Sequence, residues 1–207
     1  MEELEALSHG APASALLLAT MVLASLTGLF AWPGLVERSL FRPYWLLRRN
    51  EYATLVGSGF MHADFAHLLF NAFTFWAFAF ALERTIGSAR FVGLYAFGLL
   101  ASDAGTWLKR HGDPEYRTLG ASGAILAVLF ASILYAPTSS IYILPIPVAI
   151  PAPLFAVAYL GYSVFASRRS RGRINHDAHL SGAIAGLLFV ALTDGAAFAR
   201  AWRVFFG

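Results

Sequence analysis

Long uncharged apolar runs recur along this 207-residue chain, and they decide which solvent it folds in. The first extends from Ala13 to Ala31 and closes on Trp32-Pro33. About 20 apolar residues suffice to cross a hydrocarbon core of about 30 Å. The chain is 58% hydrophobic and only 13% charged, with a mean hydropathy of +0.62, whereas a soluble domain carries about twice that charge. It reads as an integral, multi-pass membrane protein, in which helices are the default because each satisfies its own backbone polar groups. No cysteine is present, which removes disulfides, thiolate metal sites and cysteine nucleophiles. The net charge of +3 sits in loops, where it bears on topology and anionic headgroups. No phosphate-cradling glycine loop or basic-aromatic array points to nucleotides or nucleic acid. With no internal repeat or low-complexity segment, residues 1–207 read as a single domain.

The N-terminus carries Glu2, Glu3 and Glu5 where a secretory signal would be basic, so the first run reads as a retained span. The loop after it mixes Arg38, Arg42, Arg48 and Arg49 with Phe41, Tyr44 and Trp45. That mixture suits the headgroup layer, although an ordinary solvated loop fits it equally well. A second span leads from Phe60 through His62, His67 and Asn71 to Leu82. After a polar turn, Glu83 to Arg90, a third runs from Phe91 to Leu108. Asp103 lies near the end of that span, close enough to Lys109 and Arg110 to read as a rim residue. Ser122 to Ala136 makes a fourth span. Pro137, Pro145, Pro147, Pro151 and Pro153 forbid continuous helix after it, so a fifth span is expected from about Pro151 or Pro153 to Ala166. Asn175-His176-Asp177-Ala178-His179 opens a sixth, reaching about Leu192.

The serine-centred run is the short one. At ~1.5 Å per residue it spans roughly 23 Å, less than the hydrocarbon core. Ser122 is therefore expected below the membrane surface, at a helix N-terminus with free N–H groups. Gly120-Ala121-Ser122-Gly123 also suits close helix packing. His67 and Asn71 share one helix face and would serve equally as interhelical hydrogen-bonding residues. Position resolves the choice. The His67/Asn71 pair, Ser122 and His179 open the second, fourth and sixth spans, so all face one side of the membrane. A neutral imidazole can take the serine proton and later protonate a leaving amine. Asn71, His67 and the backbone N–H of Ser122 are the donors available to a developing oxyanion. Asp177, two residues from His179, points elsewhere on a helix and is not a third member. Ala178, Gly182 and Gly186, with Gly123, Ala127 and Ala131, form stripes that let the fourth and sixth spans touch.

These residues resemble the rhomboid intramembrane serine proteases. The resemblance rests on His-x4-His-x3-Asn (His62, His67, Asn71), Gly-x-Ser-Gly (Gly120, Ser122, Gly123) and Ala-His-x2-Gly-x3-Gly (Ala178, His179, Gly182, Gly186). Glu83, Gly87 and Phe91 resemble the family's turn, and the likeness covers about 60–192. It implies an all-α, six-helix polytopic bundle with a Ser122–His179 dyad, supported by His62, Gly120 and Gly123. It also implies a half-buried first loop, a fifth span acting as a lateral gate, and no cofactor. The implied partners are transmembrane protein substrates and the lipid bilayer. The family pattern often places a tyrosine one turn after the serine, packed on the base; Leu126 stands there, which would leave His179 looser.

Two alternatives belong to other classes: a non-catalytic rhomboid-like scaffold that binds membrane helices, and a metal-dependent membrane enzyme or transporter using His62, His67, His176, His179, Asp64 and Asp177. The second lacks the one-face His-x3-His geometry. Eleven of the 15 Lys and Arg lie in odd-numbered loops, on the side of the presumed mouth, which by charge bias is cytoplasmic. The resemblance implies the opposite orientation in a bacterial inner membrane, and that orientation is the expectation adopted.

Overall fold

A computed structural model describes residues 10–143, 146–169 and 174–207. The acidic start at Glu2, Glu3 and Glu5, Pro145, and the Ser170 to Arg173 part of the basic loop lie outside the described residues. Helix α1, Pro12–Leu26, continues as a wider turn over Thr27–Ala31. The first loop then winds through three short helices, α2 (Pro33–Ser39), α3 (Pro43–Arg48) and α4 (Thr54–Gly57). Each of the first two begins on a proline, whose fixed φ suits a first helical turn. Helices α5 (Phe65–Ile86) and α6 (Ser88–Arg110) follow, joined at Gly87. Then come α7 (Ser122–Tyr135), α8 (Ala152–Arg169), α9 (His176–Thr193) and α10 (Gly195–Phe206).

Four of these, Pro12–Ala31, Phe65–Ile86, Ser88–Arg110 and His176–Thr193, are long and apolar enough to cross a membrane. Their outward side chains are themselves apolar: Leu16 is 69% exposed, Phe70 68% and Leu192 78%. Such a surface is stable against lipid tails and unstable against water. The polytopic all-α fold is thus an arrangement of helices that hide small and polar residues inside and show large apolar ones outside.

Helix α7 is the hub. At 14 residues it is roughly 21 Å long, and nearly every side chain from Gly123 to Leu134 is buried. A helix apolar on every face is stable only when other helices surround it, and α5, α6, α8, α9 and α10 all pack on it. The small-residue stripes meet as their spacing implies. A Cβ on Gly182 would overlap the carbonyl of Gly123, and one on Gly186 the carbonyl of Ala127, so α9 lies almost backbone to backbone against α7.

The structure adds elements that the sequence left unassigned. The proline-broken stretch contains an antiparallel pair, β1 (Ser140–Ile143) with β2 (Ile146–Pro151), pairing Ile141 with Ile150 and irregular beyond Tyr142. Helix α10 returns along the bundle on Ala197 and Ala201, which are fully buried. Asp103 corrects the expectation of a rim residue: it is 7% exposed, on a helix against which α3 and α4 of the first loop pack.

Candidate active site

Three helices, α5, α7 and α9, begin at the same end of the bundle, and each start is fixed differently. Asp64 caps α5, its Oδ1 accepting from the His67 N–H at 2.8 Å. Asn175 caps α9, accepting from the Ala178 N–H at 3.1 Å, while its amide donates to Thr106 Oγ1 at 2.9 Å. Those two bonds tie the start of α9 to α6. Helix α7 starts without a side-chain cap: Ala121 precedes it, and the Ile125 N–H makes the first bond back, to Ala121 O at 3.0 Å.

The segment leading into α7 is held by the first loop. Phe41 and Thr118 exchange backbone bonds of 2.9 and 3.0 Å, and Gly120 N–H donates to Ser58 O at 2.9 Å. Gly120 has φ +131°, open to glycine and strained for other residues, and a Cβ there would stand 2.7 Å from His67 Cε1. The missing side chain is what lets the His67 ring lie on the backbone just before the serine. Buried Phe41 and Leu46 anchor the loop. Its cations partly pair with its own groups: Arg48 and Arg49 lie 3.9 and 3.8 Å over the Tyr44 and Trp45 rings, and Arg42 pairs with Glu51 at 2.7 Å.

The seated loop and the close α7–α9 contact bring Ser122 Oγ and His179 Nε2 to 2.8 Å. His62 and His67 form a second pair, rings edge to face at 4.9 Å. His62 is fully buried, its Nδ1 2.9 Å from Ser25 Oγ on α1, and its Nε2 has no partner among the described residues. Burial holds its imidazole far below the usual range, at about 3, with His67 adding to the effect. Asn71, one turn below His67, is 8% exposed and its amide nitrogen finds no acceptor among the described residues. Gly123 lies under Ser102, with no room for a side chain.

Asp177 turns away from His179, toward Lys109 at 2.8 Å and Arg110 at 3.8 Å, and it also accepts from Ser167. The residues of the metal-enzyme alternative thus divide. His62 pairs with His67, His176 stands 6.1 Å from His179, and Asp177 is engaged by cations. Among the described residues no three His, Asp or Glu side chains converge. Sequence reasoning missed Tyr159. Its hydroxyl, from α8, stands 3.3 Å from His179 Nδ1, a neighbour that the reading of Leu126 did not include.

Fold and site together define a helical, multi-pass membrane protein with a serine and a histidine in contact at one end of the bundle. The rhomboid domain family model matches residues 49–194. The chain belongs to the rhomboid family. It is 27% identical over 156 residues to "Rhomboid protein 1, mitochondrial" of Saccharomyces cerevisiae, covering 72% of this chain and 45% of that one. It is 29% identical over 159 residues to "RHOMBOID-like protein 12, mitochondrial" of Arabidopsis thaliana, covering 69% and 47%. With "Rhomboid protease GluP" of Bacillus subtilis it shares 29% identity over 147 residues, covering 70% and 27%. The matched region spans less than half the length of each of these relatives.

Proposed function

We propose that this chain is a serine endopeptidase acting inside the membrane on transmembrane segments of other proteins, with Ser122 as nucleophile and His179 as general base. What carries the reading is the 2.8 Å approach of Ser122 Oγ to His179 Nε2 at the start of a helix too short to reach both surfaces. Nε2 takes the hydroxyl proton as Oγ bonds to the scissile carbonyl carbon. The same proton passes to the departing amine as the C–N bond breaks, and water then hydrolyses the ester by the reverse relay. The uncapped N–H groups of α7, Ser122's among them, with Asn71 and His67, supply donors for the oxyanion. His62, Gly120 and Gly123 support the site by seating His67 and by letting the backbones approach. The substrate is a membrane-spanning protein whose helix unwinds near small residues, since helical amides are closed to attack. No cofactor enters this chemistry.

The test is labelling of the purified protein with a fluorophosphonate probe. Wild type should label at Ser122, and both Ser122→Ala and His179→Ala should lose the label while remaining folded. Equal labelling of Ser122→Ala would remove the assignment of the nucleophile, and a wild type that does not label would leave the non-catalytic scaffold. We further place the chain in a bacterial inner membrane with this mouth outside, against the charge bias. Ser170→Cys should then react with a membrane-impermeant thiol reagent in intact cells and Ser88→Cys should not; the reverse pattern would restore the charge rule.

A further inference from the structure

His179 is gripped on both ring nitrogens, by two different helices. Nε2 faces Ser122 on α7 at 2.8 Å, and Nδ1 faces the Tyr159 hydroxyl on α8 at 3.3 Å. A neutral imidazole carries one N–H, so it can receive the serine proton on Nε2 only if its own proton sits on Nδ1. A phenol oxygen at Nδ1 is an acceptor for that proton. Tyr159 is itself fixed by packing, its ring stacked on Phe155 at 5.6 Å and tilted against Phe130 of α7 at 5.7 Å.

Helix α8 is held to the bundle by a narrow seam. Ala152 and Ala156 are buried and Phe155, Tyr159 and Leu160 pack inward, while Leu154, Val157, Tyr162 and Phe165 stand between 53% and 65% exposed. Near its last turn, Ser167 joins Lys109 and Asp177, tying α8 to α6 and α9. The other titratable groups around His179 are His176 on its own helix and His67 on α5. Tyr162 turns its ring to His176, and Asp177 is occupied by Lys109 and Arg110.

We propose that Tyr159 is a positioning residue for His179: it accepts the Nδ1–H, holds the tautomer whose bare Nε2 faces Ser122, and supports the imidazolium that forms during attack. The inference rests on the Ser122–His179 reading and deepens it. Because the tyrosine rides on α8, the base is set only while that helix is seated on α7 and α9.

Tyr159→Phe deletes one oxygen and keeps the ring stack, and it is compared with wild type in micelles. The fluorophosphonate reaction at Ser122 should slow roughly ten- to a hundredfold, the size of one lost bond to a charged group. The loss should fall on the maximal rate rather than on probe affinity. The acid limb of the pH–rate profile should move to lower pH, by about one unit, because the imidazolium has lost an acceptor. Difluorotyrosine at 159, a weaker acceptor of nearly the same shape, should move both readouts the same way by less. The 15N resonances of the His179 ring, measured in parallel, should report proton on Nδ1 in wild type and a redistributed tautomer in Tyr159→Phe. An unmoved acid limb with unmoved ring resonances would overturn the proposal, even if the rate fell, since packing alone would account for that. If Ser122→Ala labels like wild type the protease reading fails, while the ring resonances still decide whether Tyr159 holds His179.

Discussion

Helices α5 and α7 begin side by side at one end of the bundle, yet one start is closed and the other open. Asp64 spends its carboxylate on the first turn of α5, and Asn175 does the same for α9. The α7 start has Ala121 in that place and no side-chain cap. An uncapped N-terminus is ordinarily a cost of about 1 kcal/mol, and here it is buried under the first loop, where water is a poor substitute. Nearby, Asn71 Nδ2 is also without an acceptor. At the far end of the bundle the two carboxylates are both engaged. Buried Glu83 accepts from the N–H groups of Ala13 and Ser14 and from Ser88 Oγ. Asp194 accepts from Ala197 N–H at 2.9 Å and from Tyr135 at 3.1 Å. At that end both carboxylates are engaged; around Ser122 donors are left over. That surplus is what a site awaiting a negative charge needs.

The comparison is broken most severely by Asn71. If its amide is kept for an oxyanion, Asn71→Ala should lower turnover by roughly 10²–10³-fold, with an unchanged melting temperature. A normal rate with a lowered melting temperature would make Asn71 interhelical glue instead. Asn175→Ala should show the opposite signature, costing about 1 kcal/mol of stability as a lost cap, read as a lower midpoint in thermal unfolding, with the labelling rate per folded molecule much less affected. Asp194 should give the smallest effect because it lies at the surface. The Ala197 N–H, with Tyr135, holds its carboxyl below the ordinary value of 3.8. The cap's contribution is therefore fully present above that value and is lost as the pH falls through the lower folded one. Hydrogen exchange of the first turn of α10 should accelerate only in that acidic window, and Asp194→Ala should already exchange faster at neutral pH.

Much of the site was legible because polar residues stand out in an apolar chain. His67, Asn71, Ser122 and His179 are expensive in a membrane, and their places at even-numbered helix starts put them on one side before any coordinates were known. Tyr159 carried no such signal, since an aromatic in a membrane helix is cheap and usually packs or faces lipid; the Leu126 departure pointed only to a looser imidazole. Asp103 was misjudged because distance along the helix from Lys109 and Arg110 says nothing of what packs around α6. Helix α10 was readable in principle: Asp194-Gly195 is a helix start, and Phe198, Trp202 and Phe206 repeat every fourth residue and stack in the structure. The β1–β2 pair was masked by prolines, which argue against sheet as well as helix.

The Glu83 cap has a consequence for how the molecule is made. The N–H groups it satisfies lie 70 and 69 residues earlier in the chain. During synthesis from the N-terminus, α1 emerges with its first turn bare and stays so until the end of α5 has been produced and brought alongside. Helix α1 is thus finished by α5, the next long helix in the chain, and the pair becomes a closed unit one helix before the serine is translated.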